Sequence, residues 1–283
     1  YCAIPLIRGP HVSVPMEVLE EEARKLAAQG VRELIVIAQD STYYGLDLYG
    51  KRQIAELLRR LCRIDGIEWI RLHYAYPAAF PEELIGVMAA EPKICKYLDI
   101  PFQHISDAQL AAMLRRHTKA EAMELIRKLR EAIPDLALRT TLLVGYPGES
   151  EADFEELLDF VREVRFERLG VFAYSEEEGT HSAEKLKDDV PEEVKQQRVD
   201  RVMALQNRIA TENNARRVGR IERVLIDSRQ GDWYVGRTQY DSPEVDQEIL
   251  IPAAPKRLLK GHFYTVRVTA AEEYDLYGEV VPK

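Results

Sequence analysis

The side chains of this sequence that could do chemistry stand at the ends of short apolar runs. Cys2 opens it, in Tyr1-Cys2-Ala3-Ile4-Pro5-Leu6-Ile7-Arg8-Gly9, and a cysteine as thiolate is a nucleophile or a soft metal ligand. Gln39 and Asp40 follow the run Leu34–Ala38. An acid and an amide there can accept hydrogen bonds from an ammonium group, although an aspartate at a turn is as readily an Asx or helix cap. Arg139 lies within Leu138-Arg139-Thr140-Thr141-Leu142-Leu143-Val144. A guanidinium in such a strand requires a carboxylate, from a protein acid or from a ligand, and the ligand is slightly favoured. Next comes Gly145-Tyr146-Pro147-Gly148-Glu149, which lacks the Gly-Lys-Ser/Thr ending of a phosphate loop, so nucleotide hydrolysis is unsupported. Gly145 and Gly148 would let the backbone approach a planar ligand. Glu149 is expected to cap the following helix, and a plain strand-to-helix turn fits the composition equally well.

His73 and His104, the latter after Gln103, also fall at strand ends. Neither has a second histidine at zinc spacing, so no metal is assigned to them. Cys62 shares a helical stripe with Leu57, Leu58 and Leu61, and Cys95 precedes a predicted strand. Both are read as packing residues.

Those groups need a scaffold, and the hydrophobic pattern supplies one. The runs 34–38, 69–74, 97–100, 138–144 and 169–174 read as strands, with helical spacing between them at Ile54, Leu57, Leu58 and Leu61, at Leu125, Ile126, Leu129 and Ile133, and at Phe154, Leu157, Leu158 and Val161. Strand and helix in alternation give a parallel α/β sheet or barrel, whose sites lie at the carboxyl ends of the strands. Five such strands, with a sixth expected before Cys2, suit a partial (β/α)6-type barrel better than a closed eight-stranded one. A long helix is expected over 194–218, followed by about five short strands between 221 and 281, a pattern of small all-β barrels. The domain boundary is placed near Gly219, giving units 1–218 and 219–283.

The 283 residues, 46% hydrophobic and 31% charged, suit a globular protein with a large and a small domain. Net charge is -9, which argues against a general nucleic-acid surface and for a basic partner. No apolar run approaches membrane-spanning length, and three cysteines are too few for a disulfide framework, so the cytoplasm is the expected compartment.

The opening segment resembles the end of the CxxxCxxC loop of radical S-adenosylmethionine (SAM) enzymes, whose first two cysteines would lie upstream of Tyr1. The resemblance implies that Cys2 is one of three thiolates holding a [4Fe–4S] cluster, that Tyr1 packs near the adenine of SAM, and that a 5′-deoxyadenosyl radical is the reactive species. Cys2 alone cannot hold the cluster. Gln39, Asp40, Gln103, Arg139, Gly145 and Gly148 are then the expected SAM contacts. Cys2-Ala3-Ile4-Pro5, the 98–118 run and Val144–Glu149 further resemble the methylthiotransferases, which carry a C-terminal TRAM barrel and usually a second [4Fe–4S] cluster in an N-terminal domain. The segments 37–45, 71–77 and 236–246 resemble the RimO type, which modifies an aspartate β-carbon on a protein of the small ribosomal subunit. The MiaB type, which modifies an adenosine of tRNA, is the alternative, and a non-catalytic barrel with an interaction module is another.

Between Ile221 and Lys283 there are eight Lys/Arg against eleven Asp/Glu, a balance that suits a basic ribosomal protein better than RNA. Asp241, Glu244, Asp246 and Glu248 fall within eight residues and are the expected substrate contact. An electron donor for the cluster is a further expected partner.

Overall fold

Local signals start and stop the elements where a helix or strand would otherwise fray. The computed structural model describes residues 3–255 and 257–282. Thr118 and Ser150 each accept from the backbone N–H three residues on, and Glu121 and Asp153 reach back to the cap. These are two capping boxes, which satisfy donors that a helix start leaves open. The helices so begun, Lys119–Ala132 and Glu151–Val164, bury Leu125, Ile126 and Leu129, and Phe154, Leu157 and Val161. Helix Ile54–Cys62 does the same with Leu57, Leu58 and Leu61.

Those stripes cover one face of a five-stranded, wholly parallel sheet in the order β1-β2-β3-β4-β5. Its strands are β1 Glu33–Val36, β2 Trp69–Leu72, β3 Ile94–Asp99, β4 Ala137–Val144 and β5 Arg168–Ala173. Successive side chains of a strand point to opposite faces. Leu34, Ile70, Leu72, Ile94, Leu98, Leu138, Leu142 and Val144 enter the core beneath the helices. Glu33 and Ile35, Trp69 and Arg71, Cys95, Tyr97 and Asp99, Arg139, Thr141 and Leu143, and Arg168, Gly170 and Phe172 therefore share the inner face. The strands fall within a few residues of the sequence expectation. Cys95 lies inside β3 rather than before it, and Cys62 is buried in the core as expected.

Helix Glu192–Ala215 crosses against β5 and leads into a closed barrel of order β10-β8-β7-β6-β9. These strands are β6 Ile221–Gln230, β7 Trp233–Arg237, β8 Glu248–Pro252, β9 Phe263–Ala271 and β10 Asp275–Val280. Its interior, with Val224, Ile251, Val266 and Leu276, is separate from the sheet's core. A barrel this small leaves no room for a side chain where strands cross closely. A Cβ on Gly236 would stand 2.6 Å from Val224 Cγ1 and 2.7 Å from the Leu225 carbonyl. Gly236→Ala is thus expected to lower stability by about 1–3 kcal/mol, read as a lower urea midpoint.

A third cluster joins the two units. Trp69, Cys95, Tyr97 and Ala137 on the inner face of the sheet pack against Leu225, Tyr240 and Phe263 of the barrel. Trp69 and Phe263 meet edge to face at 4.7 Å. No described helix is long and apolar enough to cross a membrane.

Candidate active site

The lower half of the sheet's inner face is filled with charge, neutralised by pairs within the sheet and by pairs across to the small barrel. Arg71 is fully buried; it donates to Glu33 at 3.0 Å and to the Gln239 carbonyl at 2.8 Å. Arg237 grips the same Glu33 at 2.7 Å. Burial alone would raise the Glu33 carboxyl, but Arg237 and Arg71 outweigh it and hold it below the usual range. Arg168 pairs with Asp241, which also faces Arg217 at 3.6 Å. Asp241 is held low in the same way, against burial, by Arg168 and Arg217. Arg139 donates to Asp99 at 2.9 Å and lies 3.5 Å from Asp246. Burial pushes the Asp246 carboxyl up. His73, lowered by burial against the pull of Asp99, shares a 2.9 Å hydrogen bond with Ser242.

Above this floor the face turns apolar and opens outward at the carboxyl ends. Ile37 is 59% exposed, Phe172 62% and Ile35 39%, and Leu143 pairs in register with Phe172. A Cβ on Gly170 would meet only the Phe172 ring, at 4.0 Å. The strand-end loops are laced together: Ser41 N–H donates to the Tyr74 carbonyl and Ser41 Oγ to that of His73, while Gln103 N–H donates to Thr141 and Tyr174 N–H to Val144. Tyr74 (φ 54°) and Gln103 (φ 71°) have left-handed backbones, and these bonds hold two non-glycine residues in a conformation that costs energy.

Beneath the loop after β4, Glu149 is 4% exposed and gathers three donors. They are the Gly145 N–H, Arg198 Nη1 at 2.9 Å and His104 Nε2 at 3.1 Å. Ser106 N–H donates to His104 Nδ1, so the imidazole proton sits on Nε2 and points at Glu149.

Several sequence expectations need correction. Glu149 does not cap the next helix; Ser150 does, and Glu149 is turned inward by its cation. Arg139 finds its carboxylates in Asp99 and Asp246 rather than in a ligand. Asp40 caps the short turn Ser41–Tyr43 by accepting from Thr42 N–H, so its Oδ1 is already engaged. The space over Gly145 is taken by the Lys195 side chain, not left for a planar ligand. Asp241 and Asp246 are not a surface contact; their side chains are 2% exposed and pair with Arg168 and Arg139. Of that acidic loop Glu244 is exposed and Glu248 half-buried. Gln39 is exposed at the rim, and Gly148 has open space where a Cβ would stand. Tyr1 and Cys2 lie outside the described residues.

Sequence reasoning passed over Arg71, although it interrupts an apolar strand as Arg139 does, and it passed over Glu33 and Asp99, whose positions at strand ends look like ordinary turn acids. Phe172 and Ile37 fall within the expected strands 169–174 and 34–38, and only the sheet shows which face each occupies.

At the carboxyl ends the inner face therefore presents an apolar surface, with Ile35, Ile37 and Phe172 exposed and Gln39 exposed beside them. The described residues do not fit an iron–sulfur cluster: no three of their His, Cys, Asp or Glu side chains are placed to hold a metal. Burial pushes the Cys62 thiol up to about 11 and that of Cys95 to about 12, so neither offers a thiolate. A cluster would rest on Cys2 and on thiolates from outside the described residues.

Residues 1–161 match the family model of the radical SAM superfamily, a span that runs from Cys2 through Glu149 and beyond. This chain belongs to the radical SAM superfamily. Residues 218–281 of this radical SAM chain match the TRAM domain model. The chain is 54% identical over 279 residues, 99% of its length, to ribosomal protein uS12 methylthiotransferase RimO of Christiangramia forsetii, of which it covers 62%. It is 56% identical over 282 residues to the protein of the same name from Porphyromonas gingivalis, of which it covers 65%. The chain thus spans less than two thirds of the length of these relatives. Among solved structures it is similar to coproporphyrinogen III oxidase (HemN) of Escherichia coli, a radical SAM enzyme. That likeness has a TM-score of 0.54 at 18% identity, over 79% of this chain and 59% of the other, and it shows a shared fold.

Proposed function

We propose that this chain is the SAM-binding and substrate-docking part of a methylthiotransferase that places a methylthio group on the β-carbon of an aspartate in ribosomal protein uS12. The observation that carries this reading is the 54–56% identity to uS12 methylthiotransferases over 99% of the chain. Residues 1–218 form the radical SAM unit and 219–283 the TRAM unit. Cys2 is a ligand of the [4Fe–4S] cluster, with Tyr1 beside the adenine; a second [4Fe–4S] cluster, in the part these relatives have beyond this chain, and an electron donor complete the system. The enzyme works in the cytoplasm.

When bound beside a reduced cluster, SAM supplies a radical able to take hydrogen from an unactivated carbon. The chain's own residues hold the site in which that happens. Ile35, Ile37 and Phe172 keep water from the mouth, so that a reactive group meets substrate rather than solvent. Gln39 and Gln103 place hydrogen-bonding groups at its rim. The Arg139–Asp99 pair and Glu149 hold the floor and one loop in a single arrangement, so that SAM binds a prepared surface.

The test uses the full-length protein with its clusters rebuilt anaerobically, given SAM, a reductant and either purified uS12 or tRNA. Mass spectrometry is expected to find a methylthio group on an aspartate of uS12 and none on tRNA. Modification of tRNA alone would transfer the assignment to the adenosine-modifying type. A full-length protein that takes up no iron and stays colourless would make the chain a scaffold.

A further inference from the structure

The edge strand β5 borders a second cavity, which shares Arg139 and Asp246 with the floor beneath the mouth. It holds about 340 Å³ between β5, helix Glu192–Ala215, the loop before β8 and the β9–β10 turn. Two of its polar side chains are more than nine-tenths buried yet leave an atom without a partner. Gln206, 4% exposed, spends its Nε2 on the Phe166 carbonyl at 2.9 Å and leaves Oε1 free. Gln247, 7% exposed, leaves its amide nitrogen free. Glu273 Oε1 is buried and equally without a partner. Unpaired buried polar atoms are expensive, and their gathering at one cavity marks a place where a ligand would complete the bonding.

The charges decide which ligand. Arg168 is neutralised by Asp241, Arg139 by Asp99 and Asp246, and Glu167 by Arg130. Glu273 has no cationic partner among the described residues, so the cavity keeps one uncompensated carboxylate. Tyr274 beside it donates its hydroxyl to Asn207, and the residue is 51% exposed. Its ring can stack on a planar cation. Asn214 pins this turn by donating to the Glu272 and Glu273 carbonyls at 3.2 and 3.0 Å, so the acceptors stand on a fixed frame.

We infer that this cavity receives an arginine or lysine side chain of the substrate protein, with Glu273 and Gln206 Oε1 accepting from its head group and Met203 and Leu169 lining its stem. The inference rests on the protein substrate proposed above and names what selects it. Gly170, on the cavity wall, lies three residues from the end of β5 at Ala173, about 10 Å of strand. The basic residue therefore sits within a few positions of the modified aspartate.

Glu273→Gln in the full-length, cluster-loaded enzyme is expected to raise KM for uS12 about tenfold, with kcat and substrate-free SAM cleavage unchanged. Replacing the matching basic residue of uS12 by alanine should cost the native enzyme a similar factor and cost the Glu273→Gln enzyme nothing more. Additive losses for every basic residue near the aspartate, or an unchanged KM, would overturn the inference while leaving the uS12 activity intact. Absence of uS12 modification by the native enzyme would instead remove the functional reading, and this inference with it. Should Glu273→Gln not fold, Tyr274→Leu carries the same comparison with the charge preserved.

Discussion

Glu149→Ala is expected to destabilise the protein by about 3–5 kcal/mol, the usual cost of leaving one member of a buried ion pair without its partner. Arg198, whose side chain is 6% exposed, would keep the Glu149 carbonyl, a 3.5 Å contact with Glu151 and its place over the Phe154 ring, but no close carboxylate. The Gly145 N–H and His104 Nε2 would lose their acceptor at the same time. Glu149→Gln keeps the shape and can still accept two of the three bonds, so its cost should be smaller, about 1–3 kcal/mol. Urea unfolding measures both, and the ordering is the discriminating result. Equal losses would mean that shape, not charge, holds the loop. Because that loop borders the mouth, SAM affinity should fall in the same order when the variants are compared well below their midpoints.

Arg71→Ala is the second large effect, again about 3–5 kcal/mol. Its guanidinium joins β2 to Glu33 of β1 and to the Thr238 and Gln239 carbonyls of the small barrel, and it lies over the Tyr97 ring at 5.0 Å. Removing it strips two carbonyls of a donor and opens a void in the cluster that joins the two units. The sheet and the barrel have separate apolar cores, so the variant is expected to unfold in two resolved steps where the native chain shows one. A single unshifted transition would show that apolar packing suffices to join the units.

The same interface predicts a pH response. Glu33 and Asp241 are held below the ordinary carboxylate values of 4.5 and 3.8. A carboxyl lowered in the folded state contributes stability that is fully present above its unfolded value and is lost as pH falls towards the folded one. Stability should therefore hold near neutrality and decline below about pH 4.5, with the decline from Glu33 weakened in Arg71→Ala. Stability profiles of the two proteins with parallel slopes below that pH would contradict the assignment.

Much of this was legible from the amino-acid order. The strand and helix spans follow from apolar spacing, because each element must bury one face whatever its neighbours. The strand-end placement of Gln39, His73, Gln103 and Gly145 follows from the parallel alternation, since such strands all run the same way and present one set of ends. That Arg139 needs a carboxylate could be said from its apolar surroundings alone.

Which carboxylate could not. Asp99 is 40 residues from Arg139 in sequence, and Asp246 comes from a different unit, so only the docking of the small barrel brings them to one guanidinium. The acidic run 241–248 looked like a surface because four like charges in eight residues ordinarily seek water. The fold buries two of them instead, Asp241 against Arg168 and Arg217 and Asp246 beside Arg139, so that Arg168 is not buried without a carboxylate. The order of residues determined the elements, their direction and the chemistry offered at their ends. The tertiary structure alone decided the pairing of each buried charge, because that energy depends on distances between segments remote in the chain.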